Sequence, residues 1–451
     1  MLTGLPPARV SDKPLEIAEF STLEQNKGGK KPVIEIRTRV SAANGNPPGR
    51  NYRGGPPPPM PQYYPPDDDY EGGRGPAYPE VGYPERGSDS MKVFKADKPE
   101  MVIHSPYLRA ALSAVVGYYT NYSTTGDGTV IESPYQVLVH HWRALEKYGH
   151  NQPECHDAEY AATTAKHIDV LLSFLKETYG ESLEAESNRW NNPSGATATF
   201  DLFWVLLKPG EVIYREVKGL LVPFVISSVQ RTDQVRGQEA YVVDHWDIGF
   251  QHGRLRRRMH KATVFGWNGE RTITGLSVIP ARFVPDGEQA MAEKRRELGK
   301  RYWELSKQPC YREYSGQMVD KDGKRLGNMT GRVVVDCEGW ERFRHGAQDR
   351  YSGYPEPPRD YPRGPHQTVR LDALPQTQPR CSCKACGVSQ LPLEPSPFAG
   401  FDNLDPNRAE PPENGDLYFH VISSTIPAFI LGQRIWGKLL MTALLSFDAN
   451  F

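Results

Sequence analysis

The chain has 451 residues, long enough for two or three domains, yet 41 Gly, 40 Pro and a mean hydropathy of −0.60 exclude a packed core running through all of it. Lys and Arg number 54 against 55 Asp and Glu, which excludes a whole-chain attraction to nucleic acid or an anionic membrane and leaves only local patches for charged partners. The six cysteines, the lack of a basic-then-apolar leader and the lack of eighteen consecutive apolar residues predict an intracellular protein, cytoplasmic or nuclear.

Residues 1–31 read as a flexible N-terminus with a short helical stretch near Leu15–Gln25. Alternation in PVIEIRTRV (32–40) predicts a strand, and MKVFKA (91–96) predicts a second one paired with it. Between them, 41–90 is rich in Pro, Gly, Tyr and Asp and reads as a disordered insertion.

Ser105 followed by Pro106 announces a helix N-terminus, with Leu108, Leu112, Val115, Val116 and Tyr119 on one face. Two more helices are expected over 132–149 and 157–179, each stopped by a glycine, Gly149 and Gly180. Strand and helical segments together make 32–40 and 91–199 one region.

After Phe200 the period shifts toward two. FDLFWVLLKPGEVIYREV and the runs that follow it predict an antiparallel meander or small barrel over 200–285. A charged helix over 287–308, burying Met291, Leu298, Tyr302, Trp303 and Leu305, is inserted before two further strands around a DG turn, giving a β-rich domain over 200–344. Residues 345–416 read as largely disordered.

The last segment, 417–451, is apolar but carries Gln433, Arg434 and Lys438; as a membrane span each basic residue would cost about 2.5–3.5 kcal/mol. It is expected to complete the β domain as a strand pair with a helix or turn. The fold class expected is α+β: N-terminal helices and an antiparallel β-rich domain with long Pro/Gly-rich insertions.

Chemical motifs are few. None of the four Gly-Lys pairs, at 29–30, 299–300, 323–324 and 437–438, is followed by the Ser or Thr that a phosphate-binding loop needs for magnesium. Nucleophile elbows, metal-binding His-Glu helices and dinucleotide loops are absent from the sequence too. Cys381, Cys383 and Cys386 could supply three thiolates to zinc, with Cys337, His345 or His366 as a fourth ligand; ordinary reduced thiols are the other reading.

Arg254, Arg256, Arg257, Arg258, His260 and Lys261 form the densest positive run, flanked by Trp246, Phe250, Phe265 and Trp267. Such a strand could bind phosphates and stack bases. The alternative is a sheet edge kept from sticking by its charge. Cys155 beside His156, and His140 with His141, lack the convergent third group that catalysis or metal binding requires.

Several segments in order, IEIRTRV (34–40), VIHSPYLRAALSAVVGYYT (102–120), ESPYQVLVHHWRAL (132–145), FDLFWVLLKPGEVIY (200–214), YVVDHWDIGF, ITGLSVIPARFV, GKRYWELSKQPCYREYSGQ and STIPAFILGQRIWGKLL, resemble the uncharacterised domain that precedes the motor in a family of fungal AAA-type ATPases. The insertion at 41–90 departs from that pattern. The resemblance implies descent from ATP- and magnesium-dependent, hexamer-forming relatives. It has no ATP-binding, magnesium-binding or arginine-finger positions to carry over, so no cofactor is expected in these 451 residues, which read as truncated before the ATPase core. Two functions follow as expectations: a non-catalytic region that binds a protein substrate or partner, or a stand-alone nucleic-acid-binding or zinc-assisted adaptor.

Overall fold

The computed structural model describes residues 32–38, 40–43, 93–96, 98–120, 129–217, 219–251, 253–319, 325–343, 398, 400–402, 404–407, 410–412 and 415–446. The fold is α+β, and the two large sheets are antiparallel. The helical stretch expected near Leu15–Gln25, the insertion at 41–90 outside its flanking strands and the cysteine cluster lie outside the described residues.

Strand β2 (Val40–Ala43) pairs with β3 (Val93–Ala96) in a two-stranded sheet of their own. The strand run expected over 32–40 therefore divides. Its first half, β1 (Ile34–Arg37), lies in a separate three-stranded sheet of order β1-β4-β5 with β4 (Glu100–Ile103) and β5 (Thr129–Glu132).

Helix α1 (Pro106–Val115) begins where the sequence signals it: the Ser105 hydroxyl accepts from the Leu108 amide, and Pro106 sits where no amide hydrogen is needed. The helix expected over 132–149 is broken into α2 (Gln136–His140) and α3 (Trp142–His150). Helix α4 runs from Ala158 to Trp190, straight through Gly180. Its continuation is held from outside the helix, because the buried Glu186 accepts from the Thr199 hydroxyl at 2.6 Å and from the Thr199 amide at 3.3 Å. A glycine costs only about 1 kcal/mol inside a helix, so such anchors override it.

The first large sheet has the order β10-β9-β8-β7-β12, built from β7 (Val212–Val217), β8 (Leu220–Val235), β9 (Gln238–Gln251), β10 (Arg254–Phe265) and β12 (Ile279–Pro280). It is an open meander with β10 at one edge. Phe203–Leu206, expected within a strand, is a 3-10 turn whose Phe203, Trp204 and Leu206 are buried. Apolar content alone does not separate a short buried turn from a short buried strand.

Successive strand residues face opposite ways. Phe224, Ile226, Tyr241, Val243, Ala262 and Val264 share a core with α1, α3 and α4. Val225, Trp246, Ile248, Phe250 and Leu255 belong to a second core with helix α5 (Glu288–Ser306) and the barrel described next.

That barrel is the second large sheet. Strand β13 (Cys310–Val319) pairs with β14 (Arg325–Val335), β14 with β15 (Thr425–Ile430), β15 with β16 (Ile435–Leu440), and β16 returns to β13 through Met318 and Leu439. Strand β17 (Leu444–Leu445) pairs with β13 at Glu313 and Tyr314. Met318, Val333, Val335, Ile426, Ala428, Ile430 and Leu439 fill the inside. The closed element is thus made by 310–335 with the C-terminal strands, whereas 200–285 forms the open sheet.

Two details escaped the sequence reading. Arg295 and Gly299 of α5 are buried: Arg295 donates to the Ile422 carbonyl at 2.7 Å, and Gly299 lies against the backbone of Phe419 in the helix Gly415–His420. Within 345–416, Phe398 and Phe401 are buried, with Phe398 against Tyr118 and Trp246 and Phe401 against Tyr418. No helix among the described residues is long and apolar enough to cross a membrane.

Candidate functional site

The arginine run lies on β10, so alternation divides it between two faces. Arg257 turns toward Trp246, 5.4 Å from its ring, and is paired with Asp402 through Nε at 2.9 Å and through Nη2. Arg258 turns the other way and grips Asp247 through Nε at 3.0 Å and through Nη2, while His260 reaches the same carboxylate at 2.8 Å. Lys261 is exposed and 3.3 Å from Asp244. Arg254 is exposed and Arg256 half-buried. The run is at a sheet edge, but two of its cations are buried in ion pairs and do not form one face with the others.

Arg258 and Asp247 head a polar cluster inside the sheet. The His245 ring lies 5.8 Å from the His260 ring, stacked at 29°, and receives a hydrogen bond from Arg215 Nη1 at 2.9 Å. Burial pushes the His245 imidazole down to about 4, so it stays neutral. Burial alone would raise the Asp247 carboxyl, but the Arg258 charge and the His260 hydrogen bond outweigh it and hold it below the usual carboxylate range. Close by, Tyr214 Oη is 2.6 Å from His420 Nε2, and burial lowers that imidazole to about 4 as well. Arg258 and Asp247 match each other's charge, Arg215 bonds the neutral His245 ring, and these contacts tie β7, β9 and β10 together.

Ser105 Oγ lies 2.7 Å from His167 Nδ1, but the same hydroxyl is the cap of α1, and the nearby carboxylate Glu35 pairs with His104 instead. His140 is half-buried and His141 buried, and they bond the backbone carbonyls of Trp204 and Val137. Cys337, the fourth zinc ligand considered, is buried, and burial raises its thiol above the range of a thiolate. Among the described residues no three His, Cys, Asp or Glu converge on a metal-sized site. An open groove of about 280 Å³ between α3 and α4 is lined by Trp142, Glu146, His150, Asp169, Leu172 and Lys176, charges of both signs.

The outer wall of the barrel is different. Register aligns Tyr311, Val334, Phe429 and Trp436 in one row across β13, β14, β15 and β16, on the face opposite the barrel core. After β14 the chain turns into a helical segment over 337–343, capped by Asp336 Oδ1 accepting from the Gly339 amide at 2.8 Å. Gly339 lets this segment lie against Trp436, since a Cβ there would come within 2.8 Å of the indole. The segment adds Trp340 and Phe343 to the row. Phe343 stacks on Trp436 with centroids 6.1 Å apart at 26°, and Phe429 meets Trp436 edge-on at 5.4 Å.

Two of these side chains are solvent-facing despite their size: Tyr311 is 59 % exposed and Phe343 48 %. A contiguous apolar surface of aromatic and aliphatic side chains is the composition that protein interfaces concentrate at their centre. Residues 191–285 match a family described as a domain of unknown function (DUF7025). The match takes in the two-stranded sheet of β6 (Thr197–Thr199) and β11 (Glu270–Thr272) and the open sheet from β7 to β12, and stops before α5 and the barrel. No curated protein and no solved structure matches the chain.

The sequence reading noted the Trp-containing stretch at 435–440 for its resemblance and did not single out the row. The row is assembled from strands about a hundred residues apart, and its only local signal is alternation within each strand.

Proposed function

We propose that the chain is a non-catalytic partner-binding region of the kind that precedes the motor in AAA-type ATPases, and that the aromatic wall of the barrel is where it holds a protein substrate or partner. The observation that carries this reading is the pair Tyr311 and Phe343, aromatic side chains left exposed at the ends of the half-buried row Val334, Phe429 and Trp436 although each would gain by burial. The ordered family-like segments add support, since they run through both the open sheet and the barrel. In this reading ATP, magnesium and hexamer formation belong to full-length relatives.

The nucleic-acid alternative gains nothing from Arg254–Lys261, because Arg257 and Arg258 spend their charges on Asp402 and Asp247. The test combines nucleotide titration and ATP turnover with photo-crosslinking from a benzoylphenylalanine introduced at position 343. The expected result is no turnover and a discrete crosslinked protein species. Sustained ATP hydrolysis by the purified chain would sink the assignment.

A further inference from the structure

We propose that Arg215, on the face of the open sheet that also carries Phe224, His245 and His260, binds the carboxylate of a small organic acid. Arg215 is half-buried on β7 and holds its guanidinium over the Phe224 ring, 5.9 Å from the centroid. Its Nη1 donates to His245 Nε2 at 2.9 Å. That nitrogen accepts, because a guanidinium has only protons to offer and His245 spends its Nδ1 proton on the Val243 carbonyl at 2.9 Å. A neutral imidazole thus orients Arg215 without answering its charge. Among the described residues the buried Nε of Arg215 has no acceptor.

The neighbouring carboxylates are committed elsewhere. Asp247 is held by Arg258 and His260. Asp244 lies on the other face with Ser228 and Lys261, and Glu216 follows Arg215 directly along the strand, so its side chain leaves on the opposite side. Burial lowers the Arg215 guanidinium from its ordinary value with no carboxylate to raise it again, whereas Asp247 holds that of Arg258 up. Arg215 and Arg258 against Asp247 leave this end of the sheet with one positive charge in excess. Charges withdrawn from water are as a rule paired, so an arginine without its counter-charge is where a ligand's negative charge gains most.

One unanswered positive charge calls for one negative charge, which a carboxylate carries and a phosphate monoester exceeds. The two carboxylate oxygens also match adjacent guanidinium N–H groups, supplying the missing charge and a missing acceptor together. The surroundings favour an organic acid over a bare ion. Phe224 stands edge-on to His245 and His260, with centroids 4.8 and 5.3 Å away, and His260, its side chain 36 % exposed, carries this ring cluster to the surface. A ring attached to the carboxylate packs on that cluster while the charge meets Arg215. None of these residues belongs to the aromatic wall of the barrel, so this site and the partner-binding reading stand or fall separately.

The experiment is isothermal titration calorimetry of the full chain with benzoate, with benzamide and inorganic phosphate titrated beside it. Benzoate is expected to bind saturably, to weaken with added salt, and to bind about tenfold or more tightly than the uncharged benzamide or than phosphate. Arg215→Gln is expected to lose about tenfold or more in benzoate affinity, with a thermal melt to check that the variant folds. A second measurement needs no variant. Irradiation of the unaltered chain with 4-benzoylbenzoate, followed by peptide mapping, is expected to label β7, β8 or β10 around Arg215, Phe224 and His260, and benzoate is expected to compete the label away. No saturable binding of benzoate, equal binding of benzamide, tighter binding of phosphate, unchanged affinity in a folded Arg215→Gln, or a label confined to other residues would each overturn the inference.

Discussion

Asp247 carries more of the open sheet than its single position suggests. It is 3 % exposed, answers Arg258 and His260, and lies two residues before Gly249 on the same strand, where any Cβ would run into the Arg258 guanidinium. Asp247→Asn leaves Arg258 buried without its counter-charge, a loss expected to cost about 3–5 kcal/mol in urea unfolding. An unchanged midpoint would show that Arg258 escapes to water. The histidines set a second, pH-dependent expectation. His141, His245 and His420 are each lowered to about 4 by burial, while in the unfolded chain they titrate near 6.5. The unfolded chain therefore takes up protons first, so stability is complete above about pH 6.5 and declines toward pH 4; Asp247, held below its ordinary value, adds its loss only at more acid pH. Calorimetry should show the melting temperature falling between pH 7 and pH 5, and a flat profile there would contradict the buried neutral state. Ser105 and Pro106 could be read from the sequence because a helix cap is satisfied three residues away. The partner of Arg257, 145 residues distant, could not, and so a run of arginines looked like one surface.

Helix α5 is an element whose pattern was legible and whose docking was not. Its aromatic side was read from spacing, but the closest approach is made by Gly299, where a Cβ would lie 1.9 Å from the Phe419 carbonyl oxygen. Gly299→Ala is expected to push α5 off the helix Gly415–His420, costing at least about 1–3 kcal/mol, with a lowered melting temperature as the readout. Gly180 in α4 makes the opposite case. A Cβ there meets only the flexible Lys176 side chain at 3.3 Å, so Gly180→Ala should stabilise the protein by about 0.5–1 kcal/mol. Chemical denaturation compares the two directly, and a destabilised Gly180 variant would mean that the glycine is needed for something other than continuing the helix. The glycine was taken as a stop because propensity is local, whereas Glu186 and Thr199 decide the matter from a neighbouring strand.

At the scale of the molecule, alternating runs revealed that strands exist without revealing which of them close on one another. The strands of 200–285 stay open because β10 ends the sheet, and the barrel forms between β13 and β14 and segments more than ninety residues later. Near the C-terminus β15 and β16 follow the helix Gly415–His420, with Arg434 on the turn between the strands and Lys438 on the outer barrel face beside Trp436. A chain ended after Ser424 lacks β15, β16 and β17 and is expected to bind an apolar dye and to be cut by protease within 310–335; full protection of those strands would mean that β13 and β14 stand alone. Barrel closure also fixes an order of events during synthesis. The ribosome releases about 5–20 residues per second, so the inward faces of β13 and β14 wait several seconds, unpaired, for Ile426, Ala428 and Leu439 to emerge. In the cell that interval, more than the finished fold, is when this protein is most exposed to wrong partners.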